Sequence, residues 1–206
     1  MHLHTRVSRT AARTDLRSRR REQTRAEIVR AAFELFGHDG YENVSMEAIA
    51  AAAGVSRATL FNYFPQKELM LREIAAARSA KLKAIVTEFA ASGETPTFDA
   101  VTAVILKMAA ENARIAGHSK TLILATLFQQ ASAGFLLAAR EEAIGVLAQT
   151  MRKMPGRRKP ARLAAETLFA VFLATMLEWL IREDAPAAWL TQTMRARLQA
   201  LKEGVA

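Results

Sequence analysis

The chain has 206 residues, of which 51% are hydrophobic and 24% charged; that is enough apolar material for one generous core or two modest domains, and too much for a disordered chain. It contains no cysteine, which excludes disulfides and thiolate metal sites and suits a reducing cytosol. Its longest apolar runs, such as Leu122–Ala125, fall far short of a membrane span, so no transmembrane helix and no membrane partner are expected.

The formal net charge of +9 is informative through its placement. Residues 1–25 hold eight arginines against Asp15 and Glu22, a net of +6. This stretch lacks the apolar core and cleavage pattern of a secretory signal. Its arginine density resembles a transit peptide, a reading that the rest of the chain disfavours. Residues 1–21 are expected to form a flexible basic arm that meets a polyanion. Asn43-Val44-Ser45 matches a glycosylation sequon, without weight in the absence of such a signal.

The remainder reads as helix throughout, rich in Ala, Leu, Glu and Arg and without alternation long enough for a strand. Residues 22–38 put Ile28, Ala32, Leu35 and Phe36 on one face, with Gly40 as terminator. Short helices are predicted at 45–52 and 56–64, and a longer one at 66–91 before Ser92-Gly93-Glu94-Thr95-Pro96. Further helices are predicted at 97–116, 119–130, 134–153, 161–183 and 186–203. A basic loop, Arg152–Lys159, adds five cations and no acid, and Asp184-Ala185-Pro186 separates the last two helices. No internal repeat is present. The expected fold is all-α with about nine helices: a helix-turn-helix domain over 22–70 and a larger helical bundle over 71–206.

The two short helices carry the strongest signal. Ser45 is a good N-cap with Glu47 in the first turn, and Val44 and Ile49 can form a hydrophobic staple. Ser56 caps the second helix in the same way, with Val55 opposite Leu60. Gly54 supplies the tight turn between them, and Pro65 turns Phe64 away from helical geometry. With Ile28, Leu35, Phe36, Val44, Ile49, Val55, Leu60 and Phe64 inward, the second helix presents Arg57, Ala58, Thr59, Phe61, Asn62 and Tyr63. Arginine can read guanine bidentately, asparagine can read adenine, and alanine or an aromatic edge can pack on a thymine methyl. The competing reading is a solvent-exposed hairpin inside an ordinary bundle.

The segment Arg25 to Leu71 resembles the TetR family of repressors. The likeness rests on Ala31-Ala32-Phe33-Glu34-Leu35-Phe36, Gly40-Tyr41, Ser45, Ile49-Ala50 and Ala53-Gly54-Val55-Ser56, followed by Thr59-Leu60-Phe61-Asn62-Tyr63-Phe64 and Lys67-Glu68-Leu69. Farther on, Glu178-Trp179-Leu180 looks like the end of the family's dimer helix. The resemblance implies a homodimer on double-stranded operator DNA, a small-molecule-binding C-terminal domain and repression relieved by ligand; no cofactor is expected. It makes Arg57, Ala58 and Asn62 base readers, and has Thr59 and Tyr63 hold phosphates or neighbouring bases. It gives Lys67 and the cap at Ser45 a phosphate each. Phe61 departs from the pattern, which often has tyrosine there, so a hydroxyl contact to phosphate is absent.

Residues 26–70 carry three basic against six acidic side chains, so affinity is expected to rest on the arm. Arg17, Arg19, Arg20, Arg21 and Arg25 would lie along phosphates or in the minor groove, disordered without DNA.

In the C-terminal half, Ala165, Phe169, Phe172, Met176 and Leu180, then Leu190, Met194, Leu198 and Leu201, form apolar stripes. Phe169, Met176, Leu180, Leu190, Met194 and Leu198 are expected at a four-helix dimer interface; an intramolecular core is the alternative. Phe98, Val101, Ile105, Met108, Asn112 and Ile115 form another stripe. Met108, Asn112, Leu124, Phe128, Leu147, Met151, Phe172, Thr175 and Trp179 are candidate lining for a mostly apolar effector, with plain core as the alternative. Such a ligand would shift the helix at 66–91 and change the separation of two recognition helices.

His2, His4, His38 and His118 lack metal-ligand spacing, and neither a phosphate loop nor a paired-carboxylate cleft is evident, so neither an enzyme nor a metal site is expected. The main rival is a nucleoid or protein-binding factor without an inducer. The sequence reading therefore ends on a cytoplasmic DNA-binding regulator.

Overall fold

A computed structural model describes residues 4–93, 95–116, 120–128, 130–155, 160–182 and 184–205. Side chains at 4–14, 115–116, 128, 130–133, 135–136 and 203–205 lie outside the description. Among the described residues the structure is helical without strands: α1 His4–Asp39, α2 Met46–Ala52, α3 Arg57–Tyr63, α4 Lys67–Ala91, α5 Phe98–Ala116, α6 Lys120–Phe128, α7 Gln130–Met151, α8 Ala161–Ile181 and α9 Ala187–Val205. The chain divides into two compact units, one ending at Glu73 and the other beginning at Ile74. The division falls three residues beyond the expected boundary.

In the first unit, α1 packs on α2 and α2 on α3. Ile28, Ala32, Phe36, Val44, Ile49, Leu60 and Phe64 are buried, joined by Tyr41, Met70 and Leu71. Leu35 and Val55, also expected inside, are only half-buried. Seven-residue helices are too short to persist alone in water, so α2 and α3 depend on this shared core. Full burial of each large side chain is worth roughly 1.5–3 kcal/mol.

α1 differs from expectation at its start. It does not begin near residue 22 but runs back to His4, so the described part of the arm continues the helix. No glycine or proline interrupts residues 4–36, and Asp15 pairs with Arg19 one turn on, at 3.0 Å; both favour propagation from the packed end. Residues 15–23 are exposed throughout, including Leu16.

In the second unit, α7 packs on α8, α8 on α9 and α5 on α9, and α6 contacts α5, α7 and α8. Ile105, Met108, Ile144, Leu147, Phe172, Trp179 and Met194 belong to its core. This packing corrects the expected dimer face. Met176, Leu180, Leu190, Met194 and Leu198 are all buried within one chain, and Phe169 is partly buried against them. The stripes on α8 and α9 face each other across an intramolecular seam, so the five buried residues are already covered by their own chain, while Phe169 stays partly exposed. Arg197 ties the same seam, donating to Thr175 Oγ1 at 2.9 Å and pairing with Glu178.

α8 is also long and apolar enough to cross a membrane by length and composition alone, with mean hydropathy 1.6, although runs of apolar residues suggested no such segment. Its apolarity is divided. One face enters the core; the other leaves Leu163, Thr167, Ala170, Ala174 and Ile181 exposed at helical spacing, with Leu163 52% and Ile181 69% accessible.

Candidate functional site

The local chemistry of α2 and α3 builds a doubly anchored hairpin. Ser45 is extended (φ −88°, ψ 158°), and its side chain accepts a hydrogen bond from the Ala48 amide at 3.1 Å. Ser56 repeats the arrangement, accepting from the Thr59 amide at 3.1 Å, with its hydroxyl 2.8 Å from that of Thr59. Each cap satisfies an amide that the first helical turn leaves open, worth about 1 kcal/mol. Between them Gly54 has φ +66°, a conformation that costs a residue with a Cβ strain. The Val55 amide then returns to the Ala50 carbonyl at 3.0 Å. Phe64 ends α3 in extended geometry (φ −138°, ψ 94°) ahead of Pro65.

With Leu60 and Phe64 inside, α3 leaves Arg57, Ala58 and Asn62 exposed and Thr59, Phe61 and Tyr63 half-buried. The three residues singled out as base readers are therefore the most accessible of the six. The Arg57 guanidinium lies 5.4 Å from the centroid of Phe61 and pairs with Glu47 at 3.1 Å. Phe61 thus supports Arg57 from below, a role that sequence reasoning did not assign. Glu47 competes with any other anion or acceptor for the same cation. An exposed pair of this kind is worth roughly 0.2–1 kcal/mol, so Glu47→Gln is expected to tighten DNA binding by up to about fivefold. Fluorescence anisotropy on a DNA site selected by the protein from random sequence checks this; weaker binding would mean that Glu47 positions Arg57 productively.

Two expected phosphate ligands are engaged elsewhere. Lys67 folds over the Tyr41 ring, 4.4 Å from its centroid. Its Nζ donates to the carbonyls of Tyr41 at 2.8 Å, Glu42 at 3.2 Å and Val44 at 3.5 Å. The loop between α1 and α2 leaves these carbonyls outside any helix, and an ammonium has three donors to meet them. Lys67 is therefore a clamp on that loop, not a free phosphate grip. Arg25, grouped with the arm, stacks 4.4 Å from the Phe64 ring centroid and is bonded to Glu73, fastening α1 to the start of α4. Ser45 keeps its place at the head of α2, and Arg19, Arg20 and Arg21 lie on the exposed arm.

The second unit contains a cavity of about 370 Å³, within the range of roughly 300–1,000 Å³ typical of small-molecule sites. Of the nine candidate lining residues, it brings Met108 and Phe172 together with Leu82, Leu127 and Leu173. The Phe128 side chain lies outside the description. Leu147, Met151, Thr175 and Trp179 are buried core residues that do not line it. Thr175 donates to Val171 O, and Trp179 Nε1 donates to the carbonyls of Ala185 and Pro186, each at 3.1 Å. Leu124 packs against the same core. Asn112 is fully buried; its amide nitrogen donates to Met108 O at 2.9 Å, while Oδ1 has no partner. It too lies off this cavity, because helical spacing orders residues along a stripe without saying where the stripe opens. Sequence reasoning gave no role to Arg78, Lys83 or Arg140 on this wall, and it placed Phe169 and Met176, which also line the cavity, at the dimer face.

Residues 28–74 match the family model described as "Bacterial regulatory proteins, tetR family". The chain is 30% identical over 198 residues to the HTH-type transcriptional regulator TcmR of Streptomyces glaucescens, covering 91% of this chain and 86% of that protein. It is 27% identical over 172 residues to the HTH-type transcriptional repressor KstR of Mycobacterium tuberculosis, covering 83% and 77%. Among solved structures, FadR of Thermus thermophilus, a TetR-family transcriptional repressor crystallised with lauroyl-CoA, superposes with a TM-score of 0.59. It shares 25% identity, covering 88% of this chain and 95% of that one.

Proposed function

The chain belongs to the TetR family of bacterial transcriptional regulators, and from that premise we propose a cytoplasmic homodimeric repressor that an effector releases from a near-palindromic operator. The observation that carries this reading is the exposure of Arg57, Ala58 and Asn62 on a helix capped at one end by Ser56 and stopped at the other by Phe64-Pro65. A short rigid helix with one guanidinium and one carboxamide facing outward suits major-groove readout.

Dimerisation finds support in the exposed face of α8. Ala170 and Ala174 lie between Leu163 and Ile181, and small residues at the centre of a stripe let a second helix approach closely. A two-fold axis through this face buries the same patch on both copies, and places two half-sites about 34–36 Å, or one DNA turn, apart or slightly more.

Effector control is supported by the cavity, whose wall is mainly aliphatic and aromatic. FadR, the relative crystallised with an acyl thioester, makes a small-molecule effector a natural assignment here. α4 contributes its first turns to one unit and the remainder to the other, so ordering around a ligand acts on the element that follows the recognition helix. The inducer-free alternative calls for a cavity filled by side chains, and the open volume favours the effector.

The test is selection of bound sequences from random DNA by the full-length protein. A near-palindromic consensus is expected. Arg57→Ala should relax preference at one base pair per half-site by about 1–3 kcal/mol, leaving the other positions intact. A consensus without dyad symmetry, or one unchanged by Arg57→Ala, would overturn the assignment.

A further inference from the structure

One group on the cavity wall is unexplained by an apolar ligand alone. Arg78, on α4, is only 7% exposed, and its Nε and Nη1 are buried with no hydrogen-bond partner. The second unit is not short of carboxylates for its arginines. Arg114 pairs with Glu111, Arg140 with Glu141, Arg162 with Glu141 and Glu166, and Arg182 and Arg197 with Glu178. Arg78 alone of these six arginines is both buried and without such a partner. Burial lowers its pKa to about 10, which leaves it protonated at neutral pH.

The surroundings sharpen the point. Among the described residues, the cavity lining includes Arg78, Lys83 and Arg140 and no acidic side chain. Lys83 pairs with Glu142 and Arg140 with Glu141, so their charges are already met. The chain from 115 to 140, which reaches the cavity through Leu127, Leu137 and Ala139, contains no Asp or Glu at all. An unpaired guanidinium in a low-dielectric wall is costly, and a bound counter-anion recovers that cost through charge-assisted hydrogen bonds. A neutral ligand leaves the charge buried and unmet, and a cationic one repels it.

We propose that the effector is an amphiphilic anion, whose apolar body lies against Leu82, Met108 and Phe172 and whose carboxylate or phosphate-monoester head is held by Arg78. The proposal rests on the cavity's being the effector site, and it adds the charge and the anchoring residue to that reading. Phe172 and Met108 are themselves almost wholly buried, so the body meets a packed surface, and the head has to move in against the covered Nε and Nη1 to bond them.

The experiment is calorimetric titration of the full-length protein with decanoate, decyl phosphate, decan-1-ol and decyltrimethylammonium. At least one of the two anions is expected to bind tenfold or more tighter than the alcohol, and the ammonium weakest of all. Comparing decanoate with decyl phosphate identifies the head group. Arg78→Met, which keeps an unbranched stem and removes the guanidinium and its charge, should bring the preferred anion down to the affinity of the alcohol. It should leave the alcohol unchanged or tighter and raise the melting temperature of the ligand-free protein. Arg78→Lys should keep part of the preference. Equal binding of the alcohol and both anions by the unaltered protein, or undiminished anion binding by Arg78→Met, overturns the anion assignment and leaves an apolar effector site standing. Failure of all four probes to bind overturns both. The comparison on the unaltered protein decides the matter even where a variant does not fold.

Discussion

Removing residues 1–18 is expected to weaken DNA binding and to flatten its dependence on salt, while the helix-turn-helix unit stays folded. The deletion takes away Arg6, Arg9, Arg13 and Arg17, against a single acid, Asp15. The packed part of α1 begins later, at Ile28, Ala32 and Phe36, so the core does not depend on the lost turns. What remains of the arm is Arg19, Arg20 and Arg21, and residues 26–70 add only three basic against six acidic side chains, so the truncated protein keeps part of the attraction and loses the rest. Lys67 and Arg25 are held by the protein itself, which narrows the supply further. Each phosphate neutralised contributes a slope of about −0.9 in log K against log salt, so full engagement by both arms of a dimer is worth a slope of up to about seven. The full chain should accordingly lose about a thousand- to a hundred-thousand-fold in affinity between about 50 and 200 mM salt, and the truncated one far less. Dissociation constants measured across that range provide the test. Equal slopes for the two proteins would remove the arm from the interface.

Ala174→Arg should convert a dimer to a monomer and lower operator affinity about a hundredfold or more, because two tethered reading heads exceed one by roughly 10²–10⁴. Ala174 is exposed on α8, on the stripe that also holds Leu163, Ala170 and Ile181. In the proposed dimer an arginine there would meet its own symmetry mate across the axis, adding bulk and like charge where small residues allow close approach. The monomer fold should not suffer, since a surface substitution away from special features changes stability by only about 0.5 kcal/mol. Sedimentation velocity reads the oligomeric state and thermal unfolding the fold. An undisturbed dimer would show that another face joins the copies.

The helix-turn-helix was legible in the sequence because its determinants are local. Ser45, Gly54, Ser56 and Pro65 each act within a few residues, and the structure places each cap and turn where those residues require. The division of α3 into buried Leu60 and Phe64 and exposed Arg57, Ala58 and Asn62 follows from the same short-range geometry. Determinants acting across the fold were less legible. Met176 and Met194 were recognisable as buried, but periodicity does not reveal whether the covering helix belongs to the same chain, and here it does. Lys67 looks like any helix-opening lysine until the loop carbonyls of Tyr41, Glu42 and Val44 are brought beneath it. Arg78 sits among Ala75, Ala76 and Ala77 with nothing in its neighbours to mark it as buried. The arm was expected as coil because its charge density suggested solvation, whereas an unbroken run of helix-compatible residues carries α1 back to His4.

That continuous helix also sets a length. The stretch from residue 4 to residue 21, at about 1.5 Å per residue, spans about 27 Å, or about eight base pairs of duplex. The same stretch drawn out as extended chain could reach about 60 Å, or some seventeen base pairs. An arm that stays wound on DNA therefore protects a short, fixed flank beside each half-site. One that unwinds trades that ruler for a longer and looser footprint, and the width of the protected flank records which state the operator selects.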